Sequence, residues 1–417
     1  THVYLREADG TLRDLTPGDT LKAGFDGLSP DGKTLWVTSN ARDPQAFDVL
    51  AYDTTTFEHR VLFQNPGGFF PSEVSGDGRW VALEKPNTSA DSDVYLVDLQ
   101  GNGQPVRFSP DETRLAFTVA SDTSPSDVFV ADLADRKVRR LTTALNPAID
   151  ESHLVEATIV RYTAEGGVEI PSVLYRPKGA SAANPVPAVV LVHGGPGGQT
   201  RRGYSAMVQH LVNHGYAVLG ANNRGSSGYG KTFFHMDDRK HGEADLRDIV
   251  AGGDWLRAQD WVADDQVAVM GGSYGGYITA AALTFHPEAF EAGINIFGVT
   301  NWVRTLESIP AWWGAERLAL YDEMGDPATD AERHRRISPL FHAKNIVRPM
   351  LVVQGANDPR VLQVESDELV AAARANNVPV EYVLFPDEGH GFLRRENRIT
   401  AQEAYLKFLD THVRKAD

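Results

Sequence analysis

Gly271-Gly272-Ser273-Tyr274-Gly275-Gly276 directly follows the apolar run Val267–Met270 and opens a helical stretch, Tyr274–Thr284. A G-x-S-x-G turn between a buried strand and a helix is the setting of a nucleophile elbow. The turn holds the serine backbone in a strained conformation, so the hydroxyl stands clear of the sheet. Glycines two before and two after it let strand and helix approach closely. A glycine-rich turn without chemistry is the plain alternative, and the strand–turn–helix placement argues against it.

The segments around this turn share its character. Ala188–Val192, Ala217–Gly220, Val267–Met270, Gly293–Phe297, Met350–Gln354 and Glu381–Phe385 are apolar runs with little alternation. That is the pattern of parallel strands covered on both faces. Ala244–Gln259, Tyr274–Thr284, Val364–Asn376 and Thr400–Val413 read as helices between or after them. Val155–Thr163 and Glu169–Tyr175 read as a hairpin leading in, and a link carrying Pro177, Pro185 and Pro187 follows. Residues 151–417 are therefore expected to form an α/β domain with a doubly wound, mostly parallel sheet.

Residues 1–150 have a different texture. Ser29-Pro30-Asp31-Gly32, Ser75-Gly76-Asp77-Gly78 and Ser109-Pro110-Asp111-Glu112 each precede a short apolar strand. Each is followed 18 or 19 residues later by a D-x-x-x-x-D strand, at Asp48–Asp53, Asp93–Asp98 and Asp127–Asp132. Turns alternating with short strands at a fixed period are the signature of propeller blades. Val3–Thr16 echoes Val128–Thr142, as the outer half of a further blade would. The units begin at 29, 75 and 109, so the spacings are 46 and 34, and about one outer strand is missing between Gln100 and Phe108. Three and a half blades cannot close a ring of four to eight. Three explanations stand open: deletion near Gly101-Asn102-Gly103, a segment missing from the sequence there, or an open arc completed by a second chain.

Composition limits the function. A chain of 417 residues suggests two or three domains. With 40 basic against 56 acidic residues the net charge is −16, which disfavours nucleic acid and anionic membranes as partners. There is no cysteine, which excludes disulfides, zinc–thiolate sites, Fe–S clusters and cysteine nucleophiles. No apolar run reaches the roughly 18 residues of a spanning helix. The expected compartment is the cytoplasm, and Thr1 in place of Met leaves room for processing ahead of it.

A serine hydroxyl needs a base, and the base needs an acid to hold it. On an elbow sheet the acid and then the histidine follow the serine in chain order. Asp358, in Gly355-Ala356-Asn357-Asp358-Pro359-Arg360, and His390, in Glu388-Gly389-His390-Gly391-Phe392, satisfy that order. Each follows a predicted strand, where such sheets place their sites. Asp387 and Glu365 are competing acids. His193-Gly194-Gly195-Pro196-Gly197-Gly198, after Ala188–Val192, resembles a loop that gives one backbone N–H to an oxyanion hole, with Tyr274 N–H as the second donor. It lacks the GK[ST] ending or the G-x-G-x-x-G spacing of a phosphate cradle.

Together with Asn223-Arg224-Gly225-Ser226-Ser227-Gly228-Tyr229-Gly230, these motifs resemble the prolyl oligopeptidase family of serine peptidases. The likeness is closest to its acylaminoacyl-peptidase and dipeptidyl-peptidase-like branch, strong over 155–417 and looser over 1–150. It implies an α/β-hydrolase domain preceded by a β-propeller, incomplete here, with the site in the cavity between them. It implies a triad of Ser273, Asp358 and His390, oxyanion donors at Gly195 and Tyr274, and a substrate-holding Arg360. The expected reaction is peptide hydrolysis through an acyl-enzyme, with short or N-terminally blocked peptides as substrates and neither cofactor nor metal. An esterase with the same triad is the alternative, and a non-catalytic propeller module is a remote one. A homo-oligomer is left open. No counterpart of the paired glutamates that hold a free N-terminus is visible. Trp302 and Trp312-Trp313 are candidates for lining an S1 pocket or for ordinary burial.

Overall fold

In the computed structural model, the apolar run before the serine is the core of a longer strand, Val262–Gly272, at the centre of an eight-stranded sheet. The structure describes residues 2–7, 9–18, 21–44, 46–76, 78–88, 91–98, 107–108, 113–135, 137–309 and 314–415. Asp77, Gly101–Gly103, the Ser109–Glu112 turn and Trp312-Trp313 lie outside the described residues. The chain divides into two units, Thr1–Ile149 and Asp150–Asp417.

The first unit is all-β. Strands β1 (Tyr4–Arg6) and β2 (Leu12–Asp14) form a hairpin. Strands β3 (Ala23–Leu28), β4 (Thr34–Asp43), β5 (Ala46–Asp53) and β6 (His59–Phe63) form a four-stranded sheet in chain order. Strands β7 (Phe70–Val74), β8 (Trp80–Thr88) and β9 (Asp91–Asp98) form a three-stranded one. Strands β10 (Arg107–Phe108), β11 (Arg114–Val119), β12 (Asp127–Asp132) and β13 (Val138–Arg140) form a second four-stranded sheet. The middle sheet lacks a fourth strand among the described residues, at the place where the repeat spacing contracts.

The repeat has a physical basis. The first aspartate of each fully described D-x-x-x-x-D strand ties it to the loop beyond the next strand. Asp48 accepts from Arg42 and from the N–H of Asn65 (2.8 Å), and Asp127 from Thr142 Oγ1 (2.7 Å) and Ala144 N–H (2.8 Å). The second aspartate builds the turn: Asp53 accepts from Thr55 and Thr56 N–H, Asp132 from Ala134 N–H. The echo between Val3–Thr16 and Val128–Thr142 extends to hydrogen bonds, since Val3 N–H donates to Thr16 Oγ1 and Val128 N–H to Thr142 Oγ1.

The second unit opens with the antiparallel hairpin β14 (Thr158–Ala164) and β15 (Val168–Tyr175). It continues with β16 (Val186–Val192), β17 (Ala217–Ala221), β18 (Val262–Gly272), β19 (Gly293–Ile296), β20 (Met350–Gly355) and β21 (Val380–Phe385). The order is β14-β15-β17-β16-β18-β19-β20-β21, parallel from β17 to β21. Helices α1 (Ala206–Asn213), α2 (Lys231–Phe234), α3 (Ala244–Arg257), α4 (Tyr274–Phe285), α5 (Trp302–Glu307), α6 (Gly314–Met324), α7 (Pro327–Ile337), α8 (Gln363–Ala375) and α9 (Arg395–His412) connect and flank them.

Alternate strand residues serve two cores. Val190, Val267 and Val269 pack with α3, α4 and α8, whereas Val189, Ala268 and Met270 pack with α1 and α9. Burial on both faces is why these strands read as continuous apolar runs. From β16 the chain steps to β17 on one side and then to β18 on the other. The topological switch point, where open α/β sheets bind ligands, thus lies between the ends of β16 and β18.

Candidate active site

Ser273 follows β18 at φ 57°, ψ −118°, a conformation that side-chain-bearing residues seldom adopt. Its N–H donates to Ile296 O (2.9 Å), anchoring the turn to β19. A Cβ at Gly275 would strike the carbonyl oxygens of Val192 and His193, and one at Gly276 would strike Gly298. Helix α4 can start this close to its neighbours only because both positions lack a side chain.

The three expected members of the triad come together from three loops. His390 Nε2 lies 3.0 Å from Ser273 Oγ, and His390 Nδ1 lies 2.7 Å from Asp358 Oδ2. The second oxygen of the fully buried Asp358 accepts from the N–H groups of Arg360 (2.8 Å) and Val361 (2.9 Å). A carboxylate held by two backbone donors has one orientation, which presents Oδ2 to the imidazole. The competing acids are engaged elsewhere. Asp387 is exposed and pairs with Arg394 (2.9 Å). Glu365, buried on α8, accepts from the N–H groups of Thr300 and Asn301 and from Arg304 Nε, so it secures the start of α5.

Gly195, Ser273, Tyr274, His390 and Arg360 line one cleft in this unit, of about 680 Å3 counting the space at its open mouth. Its apolar wall comes from Val299, Trp302, Ile309, Leu320 and Val361. Tyr274 is the first residue of α4, so its N–H is a first-turn donor with no intrahelical acceptor. Trp302 lines the cleft and is buried against Tyr274 and Tyr277 at ring separations of 6.0 and 5.1 Å.

The Asn223–Gly230 motif acts as the support of the glycine loop. Ser226 Oγ lies 2.8 Å from His193 Nε2, and Ser227 N–H donates to Gly198 O (3.0 Å). Arg224 anchors the segment through a two-pronged pair with Asp248 on α3, at 2.8 and 2.6 Å. Burial pushes the His193 imidazole below the usual histidine range, which keeps it neutral.

Three contributors were not read from the sequence. Phe297, at φ 40°, sets its ring tilted 4.7 Å from that of His390 and edge-to-face 5.5 Å from that of Phe392. Asp245 accepts the hydroxyl of Tyr274 in the interior. Ser226 was quoted within a motif but without its task. Phe297 carried one available signal, an aromatic residue directly after a strand and before a glycine; Asp245 carried none.

Comparison with known proteins gives a consistent picture. Residues 202–416 match the sequence profile of the prolyl oligopeptidase family. Dipeptidyl aminopeptidase BIII of Pseudoxanthomonas mexicana is 35% identical over 420 residues, covering 95% of this chain and 60% of that protein. Dipeptidyl peptidase family member 6 of Caenorhabditis elegans is 34% identical, covering 73% of this chain and 44% of that protein. The chain thus spans about half the length of these relatives. A puromycin-hydrolyzing peptidase of Mycobacterium tuberculosis shares the fold with a TM-score of 0.80 at 23% identity, covering 97% of this chain and 64% of that structure. No helix among the described residues is long and apolar enough to cross a membrane.

Proposed function

The chain belongs to the prolyl oligopeptidase family, and on that premise we propose that it is a serine peptidase acting on short or N-terminally blocked peptides. The observation that carries the reading is the unbroken line from Ser273 Oγ through His390 to Asp358, opening into a cleft lined by Gly195 and Tyr274. His390 Nε2 takes the hydroxyl proton as Ser273 Oγ bonds to the scissile carbonyl carbon. The negative charge that develops on the carbonyl oxygen is met by the N–H groups of Gly195 and Tyr274. Donors fixed in this way are worth about 3–4 kcal/mol each to the transition state. The imidazolium, stabilised by Asp358, then gives its proton to the departing amine. Water repeats the sequence on the acyl-enzyme and frees Ser273.

Two features support peptides over simple esters. Arg360 lies in the cleft beside the triad, where its guanidinium can hold a peptide carbonyl, and two relatives are named as a dipeptidyl aminopeptidase and a dipeptidyl peptidase family member. The N-terminal repeats are read as an incomplete β-propeller accompanying the hydrolase unit.

The test is labelling with a fluorophosphonate and parallel turnover of an acyl-amino-acid anilide and a short-chain nitrophenyl ester. We expect the label on Ser273, and Ser273→Ala to abolish both turnovers with the thermal midpoint unchanged. Ester turnover without any amide turnover would select the esterase reading, and residual kcat in Ser273→Ala would reject the triad.

A further inference from the structure

We propose that Asp237, His241 and Glu323 form a binding site for one divalent transition-metal ion of the Zn2+ class, in the interior behind Tyr274. His241 Nε2 lies 3.3 Å from Asp237 Oδ2 and 3.5 Å from Glu323 Oε1, and the three candidate ligand atoms all fall within 4.8 Å of one another. Nitrogen and oxygen ligands about 2.1 Å from a tetrahedral ion stand about 3.4 Å apart. The two short sides of the triangle match that separation.

The imidazole is within ion-pair distance of both carboxylates, at contacts longer than good hydrogen bonds. Asp237 and His241 are 1% and 0% exposed, yet Asp237 Oδ1, both ring nitrogens of His241 and Glu323 Oε1 make no hydrogen bond. Buried polar groups ordinarily find partners, and four atoms without one in a single place point to something they hold in common. Charge points the same way. Asp245, fully buried beside them, adds a third carboxyl group. A divalent cation offsets two carboxylates and accepts the imidazole as a neutral ligand, which a proton alone cannot do.

The backbone holds the ligands in place. Lys240 N–H donates to Asp237 O (2.7 Å), and Arg239 N–H donates to Glu323 O (2.9 Å), so the loop carrying two ligands is tied to the helix carrying the third. Glu323, at 18% side-chain exposure, is the side open to an entering ion. The His241 ring packs edge-on against Tyr274 at 5.8 Å, so the ion would sit one ring behind the residue that opens α4. No local sequence pattern announces the triangle, because Glu323 comes from a different helix.

The experiment takes the full chain, stripped with chelator, and titrates it with Zn2+ alone by calorimetry, with thermal unfolding followed in Zn2+, Mn2+ and Mg2+. We expect one equivalent of Zn2+ bound and a midpoint raised by several degrees, more by Zn2+ than by Mg2+ because one ligand is an imidazole. Glu323→Gln and His241→Gln should each weaken binding at least about tenfold. His214→Gln, which removes the exposed imidazole beside His210, should leave it intact. If His241→Gln does not fold, the partly exposed Glu323→Gln decides. Absence of Zn2+ binding overturns the site, and so does binding that survives Glu323→Gln or is lost in His214→Gln.

Discussion

Asp358, the acid expected from its motif, and its competitor Asp387 differ sharply in their contacts. Asp358 is inside and bonded to His390 Nδ1, whereas Asp387 is outside and bonded to Arg394. Asp358→Asn should therefore lower kcat by about 10⁴, the cost of losing the correct histidine tautomer in comparable triads. Asp387→Asn should stay close to wild type, and steady-state kinetics on one peptide anilide compare the two. Arg360 belongs to the same scale. Its N–H holds Asp358 and the residue lines the cleft, so a side-chain variant tests the proposed task of the guanidinium apart from the backbone contact. Arg360→Ala keeps the backbone donor. It should cut kcat/KM for peptides at least about tenfold through lost positioning, and for a small nitrophenyl ester much less. Equal losses on both substrates would mean damage to the Asp358 loop and would remove Arg360 from substrate binding.

Among the elements, β3 carries an instructive irregularity. Its register to β4 slips between Phe25 and Gly27, so Asp26 is the extra residue of a β-bulge. The bulge leaves Asp26 Oδ2 buried without a hydrogen bond, and burial raises the carboxyl from 3.8 to about 6. The folded state therefore prefers the protonated form. This contribution is complete below the unfolded value of 3.8 and is lost as pH rises through about 6. It amounts to about 2 kcal/mol after allowance for partial exposure. Urea unfolding of Asp26→Asn should show a variant equal to wild type near pH 4 and more stable at pH 7. A gap that does not change with pH would reject the assignment. The same scale shows where pattern reading stopped. The parallel strands and α3, α4, α8 and α9 are legible to within a few residues at most ends, because continuous apolar runs of strand length alternate with longer stretches of helix length. Helices α5, α6 and α7 are not, because between Trp302 and Ile337 the apolar residues answer to a cleft wall and a buried cluster instead of one helix face.

For the whole molecule the governing quantity is the net charge of −16. A surface of one dominant sign lowers the local concentration of like-charged ligands. Peptides rich in Asp and Glu should show a several-fold lower kcat/KM than their Asn and Gln counterparts at low ionic strength. The gap should narrow with added salt, as the screening length falls from about 10 Å at 0.1 M to about 3 Å at 1 M. A gap unaffected by salt would place the discrimination in local contacts of the cleft.

The fold class, the family, the elbow turn at Ser273 and the candidate acid Asp358 and base His390 were all legible in the chain itself. Each rests on chemistry that is local in sequence: buried runs, glycines beside a strained turn, a motif at a strand end. The support of His193 by Ser226, the contact of the Phe297 ring with His390 and the meeting of Glu323 with Asp237 and His241 depend on residues far apart in sequence. Such pairs leave no periodicity behind, because side chains from different loops and helices meet only when the sheet order sets their distance.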